Sequence, residues 1–203
     1  MPGGDGRSVV NPPVMRASTI TFPSVEAWKE SKRLGGAGVS QGMFYGRYGA
    51  MTQRSLEASF AHVQGGVKAV ALSTPLAASI CAILSMSNKR SKKTNVAVSE
   101  GVTGGLAHFC DRGLPRLGKK ALRFSDSGKG IEEVLKGGDT FAVYVAGPCP
   151  PHFRVADLSS VSSAAKAAES EVTLSHSLGF LLTPTLSVHP SALAIFRRIT
   201  PPV

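Results

Sequence analysis

Short apolar runs alternate with longer segments of helical periodicity along the middle of the chain. The apolar runs have strand length and lie at residues 67–73, 95–99, 121–125, 141–146 and 171–175. Helical periodicity occupies the intervals between them, at residues 76–86, 106–117, 130–135 and 155–168. Strands that are apolar on both faces are typical of parallel sheets, which helices cover on both sides. The pattern therefore predicts an α/β fold built on a mostly parallel sheet.

The amino-terminal part of the chain follows a different pattern. Pro12 and Pro13 exclude a helix at that point, and residues 17–22 have the composition of an extended segment. Ser24 is expected to cap a short helix, and Thr52 is expected to cap a second one. This part is therefore predicted to consist of an extended arm, a loop and two helices.

The chain is strongly basic, with a formal net charge of +10 and a pI near 9.9. The densest basic cluster lies at residues 88–93, between a predicted helix and a predicted strand, where a solvated surface loop belongs. Basic clusters also bind nucleic acid, so a nucleic-acid-binding module is an alternative. The aromatic content of 6% argues against a base-stacking surface.

The three cysteines, Cys81, Cys110 and Cys149, are widely spaced and form no CxxC pair. Free thiols in a reducing compartment are the simplest interpretation. The five histidines have no metal-ligand spacing, so no metal site is predicted. The longest apolar stretch is broken by polar residues and a proline, which argues against a membrane span. Without a signal-peptide or transit-peptide pattern at the amino terminus, a cytoplasmic location is expected.

Six short motifs follow one another along the chain, and one of them is the turn Tyr45-Gly46-Arg47-Tyr48-Gly49. The full set lies at residues 10–19, 22–27, 45–53, 109–112, 130–133 and 153–158. In order and spacing these motifs resemble the Cys/Met-metabolism family of pyridoxal phosphate (PLP) enzymes, with cystathionine β-lyase as the nearest likeness. The likeness runs from about residue 9 to about residue 185, which is nearly the whole chain.

The resemblance implies the large domain of a fold-type I, aminotransferase-like PLP enzyme. Family members are considerably longer, so the chain is expected to be truncated, without the C-terminal domain and the final strand. In the family that strand is antiparallel and pairs with the first, so residues 67–73 are expected to form an exposed sheet edge. We expect an N-terminal arm and loop at 1–55 and an incomplete large domain at 56–203. In the proline-rich tail only residues 193–196 are a candidate element.

Members of the family bind PLP through a lysine and use its ring as an electron sink to break carbon–sulfur bonds. Tyr45 and Arg47 match the family's Tyr-x-Arg motif. The resemblance implies that these side chains bind the cofactor phosphate of a neighbouring subunit, a role that suits the forked guanidinium group.

Other cofactor positions have changed. Where the family has Ser-Gly-x-Ala-Ala around the phosphate, this chain has Thr74-Pro75-Leu76-Ala77-Ala78, so Pro75 removes an N–H donor and Leu76 can still donate. Thr103 stands where the family stacks a tyrosine on the PLP ring, and threonine has no π-face. Pro75 also suits the first turn of a helix, so the change is expected to preserve the fold while weakening cofactor binding.

The two residues most important for catalysis are also absent. Ser175 occupies the position of the aspartate that pairs with the pyridinium nitrogen, and the neighbouring His176 is expected to face away from it. Counting without gaps places the Schiff-base lysine near Thr200, and no lysine follows Lys166.

These changes favour a catalytically inactive, truncated homologue, a pseudoenzyme, over an active lyase. One alternative is a non-catalytic subunit or modulator that assembles with a full-length PLP lyase, or with itself, through Tyr45 and Arg47. The second alternative is the basic nucleic-acid-binding module. The ancestral substrate stays open among the transsulfuration reactions, because their enzymes share these motifs.

Overall fold

The structure is a computed structural model that describes residues 11, 13–36, 43–66, 68–87, 92–149, 153–175, 186–189 and 193–196. Its backbone contacts divide the chain into two compact units, Met1–Val63 and Gln64–Val203. No helix among the described residues is long and apolar enough to cross a membrane.

The first unit contains helices α1 (Val25–Gly36) and α2 (Met51–Val63), with a 3₁₀ turn (Gly46–Tyr48) between them. The Ser24 hydroxyl accepts the N–H of Ala27 at 3.2 Å, which confirms the predicted helix cap.

Thr52 was expected to cap α2, and this expectation was wrong. Thr52 lies inside the helix, which begins at Met51. Its hydroxyl accepts the N–H of Met15 at 2.7 Å and donates to the carbonyl of Pro13 at 3.2 Å. The side chain therefore ties the extended amino-terminal segment to α2, a contact between residues distant in sequence that a local capping pattern does not reveal.

The second unit is built on one seven-stranded sheet. Its strands are β1 (Lys68–Ala71), β2 (Asn95–Ser99), β3 (Lys120–Phe124), β4 (Thr140–Ala146), β5 (Glu171–Ser175), β6 (Leu186–His189) and β7 (Leu193–Phe196). They lie in the order β1-β7-β6-β5-β4-β2-β3. Every pair from β6 through to β3 is parallel, and β7 is antiparallel to both of its neighbours. The predicted α/β fold with a mostly parallel sheet is confirmed.

Helices cover both faces of this sheet, as expected. They are α3 (Pro75–Met86), α4 (Gly104–His108), a π turn (Phe109–Gly113), α5 (Leu114–Arg116), α6 (Ile131–Leu135) and α7 (Leu158–Ala167). One core cluster joins α3, the π turn and α5 to Val96, Val98 and Tyr144. The other joins α6 and α7 to Ala97, Val143 and Val145. This alternation of neighbouring strand residues between the two clusters is the period of two that a pleated strand imposes.

The antiparallel strand is present within the chain, which corrects the expectation that it lies beyond residue 203. Strand β7 pairs with β1 from Lys68↔Phe196 to Ala71↔Leu193. The expectation that residues 67–73 lack their neighbouring strand was wrong as well, because β7 pairs with one side of β1. Strand β1 nevertheless remains the outermost strand at its end of the described sheet. Counting along the sequence missed this pairing, since strand partnership is decided by backbone hydrogen bonds and not by distance along the chain.

The three free cysteines differ in their surroundings and should differ in reactivity. Cys81 is exposed, Cys149 is half-buried, and Cys110 is a buried residue of the π turn. Burial raises the pKa of the Cys110 thiol, partly offset by the charge of Arg123. Because the reactive species is the thiolate, a buried thiol with a raised pKa is a poor nucleophile.

We expect a thiol reagent to label Cys81 first in the native protein, and Cys110 only as the protein unfolds. Peptide mapping by mass spectrometry at increasing denaturant concentration measures this order, with a Cys81→Ser variant as the control for assignment.

The raised pKa of Cys110 also means that, as the pH rises, the thiol of the unfolded chain loses its proton at a lower pH than the thiol of the folded chain. The contribution of Cys110 to stability should therefore be constant below a pH of about 8.5, the ordinary pKa of a thiol, and should decline as the pH rises above it. Native labelling of Cys110 as fast as Cys81 would contradict the assignment.

Candidate functional site

The carboxyl ends of β2, β4 and β5 lie side by side in the sheet. Their last residues are Ser99, Ala146 and Ser175, and the register pairs Ser175 with Ala146 and with Val188 of β6. Ser99 and Ala146 exchange two hydrogen bonds: the Ala146 N–H donates to the Ser99 hydroxyl at 2.8 Å, and that hydroxyl donates back to the Ala146 carbonyl at 3.3 Å. In open parallel sheets this edge is where ligands bind.

The first turn of α3 is occupied by its own capping interactions. Thr74 has the extended backbone of an N-cap residue, and its hydroxyl accepts the Ala77 N–H at 3.1 Å. Its carbonyl accepts the Ala78 N–H at 3.1 Å. Pro75 has no N–H. Of the donors that a phosphate would use in this turn, the Leu76 N–H is therefore the one outside the cap.

The side chain of Leu76 lies against the first turn of α4. A Cβ atom added to Gly105 would come within 2.9 Å of Leu76 Cδ2, so the approach depends on the absence of a side chain at Gly105. Thr103, at the expected stacking position, is exposed and immediately precedes α4, where its side chain makes no capping hydrogen bond. An aliphatic side chain and a small hydroxyl thus line this side of the sheet edge.

A buried chain of hydroxyl groups fixes the first turn of α3 to the centre of the sheet. The Tyr144 hydroxyl on β4 donates to the Ser79 hydroxyl at 2.9 Å. Ser79 donates in turn to the carbonyl of Pro75 at 3.0 Å. Tyr144 has no exposed surface and Ser79 is 6% exposed. Polar groups at such depth need partners, and these bonds supply them.

Local sequence patterns do not identify Ser79, Tyr144 or Gly105 as residues of this site. The spacing of four residues between Pro75 and Ser79 is a weak signal, because Ser hydroxyls commonly bond the carbonyl four positions earlier in a helix. Tyr144 is one aromatic residue in an apolar strand, and Gly105 is one of many glycines. Only the packing of α3 on β4 and α4 gives these three residues a shared role.

Tyr45 and Arg47 lie in the first unit, in a turn with a well-defined shape. The Gly46 N–H donates to the Ser18 carbonyl at 2.7 Å, and a Cβ atom on Gly46 would collide with the carbonyl oxygen of Ala17. The Arg47 guanidinium lies 5.3 Å from the centre of the Tyr45 ring, a cation–π arrangement. Arg47 is exposed, so its fork of donors is accessible.

Lysines of the second unit lie mostly away from the carboxyl ends of the strands. Lys68 and Lys120 begin β1 and β3, Lys93 precedes β2, and Lys166 lies in the last turn of α7, before β5. Lys129 follows β3, the outermost strand of the sheet on that side. The expected lysine position near Thr200 and the residue His176 lie outside the described residues.

The basic cluster at residues 88–93 includes one lysine with a structural role. The Lys93 ammonium donates to the carbonyl of Ala168 at 2.8 Å and to that of Glu169 at 3.0 Å, at the carboxyl end of α7. Cations are favoured there by the helix dipole. Residues 88–91 lie outside the described residues. Lys93 therefore stabilises the fold, which weakens the interpretation of this cluster as a nucleic-acid interface.

Within the described ranges no group of three or more His, Cys, Asp or Glu side chains is placed to hold a metal ion.

The architecture is that of a PLP fold-type I large domain, and comparisons with known proteins agree. Residues 4–186 match the family described as Cys/Met metabolism PLP-dependent enzyme. The chain belongs to this family. It is 27% identical over 162 residues to a Rhizobium johnstonii protein assigned as a cystathionine beta-lyase, and this match covers 79% of the chain and 38% of that relative.

One further relative and one solved structure are also similar to this chain. The L-methionine gamma-lyase of Pseudomonas putida is 26% identical over 155 residues, with 76% of the chain and 37% of that protein covered. A solved structure of a Campylobacter jejuni protein assigned as an O-acetylhomoserine (thiol)-lyase matches with a TM-score of 0.76 at 18% identity. That match covers 98% of this chain and 52% of the other, which contains N'-pyridoxyl-lysine-5'-monophosphate. The chain thus spans less than two fifths of the length of these curated relatives.

PLP is the cofactor of the family, but the residues at the sheet edge of this chain do not fit it well. Its phosphate needs free backbone donors, and in α3 Thr74 and Pro75 leave one. Its ring needs an aromatic or apolar cover and a carboxylate beside the pyridinium nitrogen, whereas Thr103 and Ser175 stand at those matched positions. The described sheet edge therefore lacks most of the groups that the PLP chemistry of the family requires.

Proposed function

We propose that this chain is a non-catalytic homologue of a PLP-dependent cystathionine β-lyase, a carbon–sulfur lyase of methionine metabolism. The observation that carries the proposal is the first turn of α3, where Pro75 has no N–H and Thr74 engages the N–H of Ala77. An anion bound there would find one free donor, the Leu76 N–H, and would have to displace the cap of the helix to gain another. Ser175, at the position that the resemblance matches to the aspartate beside the pyridinium nitrogen, supports the same conclusion, because a hydroxyl group cannot hold that nitrogen protonated.

The motifs that this chain retains from its family support the fold. Asp157 caps α7 by accepting two backbone N–H groups at 3.1 Å each. Arg154 bonds the largely buried carboxylate of Asp126 at 3.3 Å, and Asp111 bonds Arg123 at 3.1 Å. Family likeness therefore persists where side chains hold elements together, while the matched cofactor positions differ, apart from Tyr45 and Arg47. Such a division is expected of a protein that keeps the structure of an enzyme without its reaction.

A titration with PLP tests this proposal directly. We expect no saturable absorbance change and no stoichiometric adduct after borohydride reduction, as measured by intact mass and peptide mapping. A family member of full length, such as the cystathionine beta-lyase of Bordetella avium, is the positive control. A one-to-one adduct on a single lysine would overturn the proposal, with Lys129 and Lys166 as the first residues to examine. Scattered, substoichiometric labelling of several lysines is the background expected of any exposed amine.

A second candidate function is that of a modulator subunit, and the turn containing Tyr45 and Arg47 favours it. The turn is held by the hydrogen bond from Gly46 to Ser18, and Arg47 faces solvent with the ring of Tyr45 beside it. A preformed turn loses little conformational entropy when it binds a ligand. In this candidate function the turn contributes a phosphate-binding arginine to a full-length PLP lyase, or to a second copy of this chain.

The cellular location completes the proposal. Three free thiols suit a reducing compartment, and we place the protein in the cytoplasm on this ground.

A further inference from the structure

We infer that the first turns of α3 and α4 form a ligand-free contact that takes the place of a bound phosphate in fixing the carboxyl edge of the sheet. The contact consists of the Leu76 side chain on Gly105, with Thr74 as the cap of α3. Its consequence is that the second unit reaches its full stability without any anion or cofactor. This inference rests on the proposed function and extends it to the folding of the chain.

The first turn of α3 has few free backbone N–H groups to offer an anion. A helix amino terminus attracts anions because its first N–H groups have no partner within the helix. Here the Thr74 hydroxyl and carbonyl accept the N–H groups of Ala77 and Ala78, each at 3.1 Å. Pro75 supplies no donor at all. A phosphate would gain one free donor and would have to compete with an intramolecular cap for another.

The Leu76 side chain packs closely on Gly105. Leu76 is 40% exposed, and its Cδ2 atom lies so near Gly105 that a Cβ atom added there would come within 2.9 Å and the leucine side chain would have to shift. The side chain thus occupies space between the two helix ends. An aliphatic side chain offers a phosphate dianion no hydrogen bond in exchange for the hydration that the anion would lose on binding beside it.

The first turn of α3 is held rigidly by hydrogen bonds to the core. The bonds from Tyr144 to Ser79 and from Ser79 to the Pro75 carbonyl anchor this turn to β4 at its buried side. The turn is therefore held from within the core as well as by its own cap. No ligand is needed to order it.

A double-mutant cycle tests the contact between Leu76 and Gly105. Replacing glycine by alanine in a helix is normally stabilising. In the native chain, Gly105→Ala should give little or no rise in melting temperature, because Leu76 has to move. In the Leu76→Ala background the same change should raise the melting temperature by about 2 °C or more. Gly137→Ala is the matched control, since no atom lies within 4 Å of a Cβ atom at that position. Its effect should be equal in both backgrounds, and equal effects of Gly105→Ala would overturn the inference.

Inorganic phosphate provides a second, independent measurement. About 10 mM phosphate should leave the melting temperature of the native chain unchanged relative to chloride at equal ionic strength. In the double variant Pro75→Gly/Leu76→Ala, which restores a donor and removes the apolar cover, phosphate should raise it measurably. A saturable rise in the native chain, or none in the double variant, would overturn the inference. These outcomes are distinct from a failure of the proposed function. That failure would be seen as a lysine adduct in the PLP titration, whatever the result of the double-mutant cycle.

Discussion

Leu114→Ala is expected to lower the free energy of unfolding by about 3 kcal/mol, the largest effect on stability that we predict for a single residue. Leu114 begins α5 and has no exposed surface. It belongs to the core cluster that joins α3 and the π turn to β2 and β4. Removal of its isobutyl group loses the transfer free energy of the buried atoms and leaves a cavity in a sheet face that cannot collapse fully.

Chemical denaturation of the two proteins measures this difference, and the melting temperature should fall by about 6–12 °C. Leu117→Ala is a closely matched control, because Leu117 has the same side chain three residues later but is 53% exposed. We expect Leu117→Ala to change stability by less than about 0.5 kcal/mol. If the two variants were equally destabilised, the placement of this helix on the sheet would be wrong.

Arg47→Ala is expected to reduce, by about ten- to a hundred-fold, any lyase activity that this chain restores to a defective partner. The partner is a full-length relative whose own matching Tyr and Arg have been replaced, so that its phosphate site depends on a neighbouring subunit. Charge-assisted bonds from a guanidinium fork to phosphate are among the stronger hydrogen bonds in proteins, which accounts for the size of the effect. The measurement is carbon–sulfur lyase activity after the two chains are mixed and the mixed oligomers are isolated.

Arg16→Ala serves as the matched control, since Arg16 is exposed in the same unit and carries the same charge. It should leave the restored activity unchanged. Mixed oligomers that form without restored activity would exclude the role of Tyr45 and Arg47 in a partner's site. Equal losses in both variants would point to a general effect of charge on assembly and would also contradict the specific role.

Several features of the fold could be predicted from the sequence because they depend on local patterns. The strand at residues 95–99 and the strand at 171–175 have the bounds that their apolar runs predict. The helix cap at Ser24 follows from the hydrogen bond that a serine offers to the first turn of a helix. The mostly parallel sheet follows from predominantly apolar strands that are buried on both faces, as β4 is along its whole length.

The candidate site could be predicted only in part. Chemical identity shows that Pro75 lacks an N–H and that Thr103 and Ser175 cannot supply a ring or a carboxylate. The sequence does not show that Thr74 engages the helix donors or that Leu76 lies on Gly105, because these are matters of rotamer and packing. Nor does it show that Lys93 serves the carboxyl end of α7, 75 residues away along the chain.

The sequence by itself determined most of the strands and helices, though not β6, and which chemical groups stand at the matched cofactor positions, since backbone propensity, hydrophobic period and side-chain chemistry are local properties. Only the tertiary structure decided that β7 pairs with β1, that Thr52 ties the amino-terminal segment to α2, and that the Thr74 hydroxyl caps the first turn of α3. Each of these features is a contact between groups that are brought together by folding. A local sequence pattern does not reveal such contacts, because they result from the requirement that backbone and buried polar groups find partners within the folded chain.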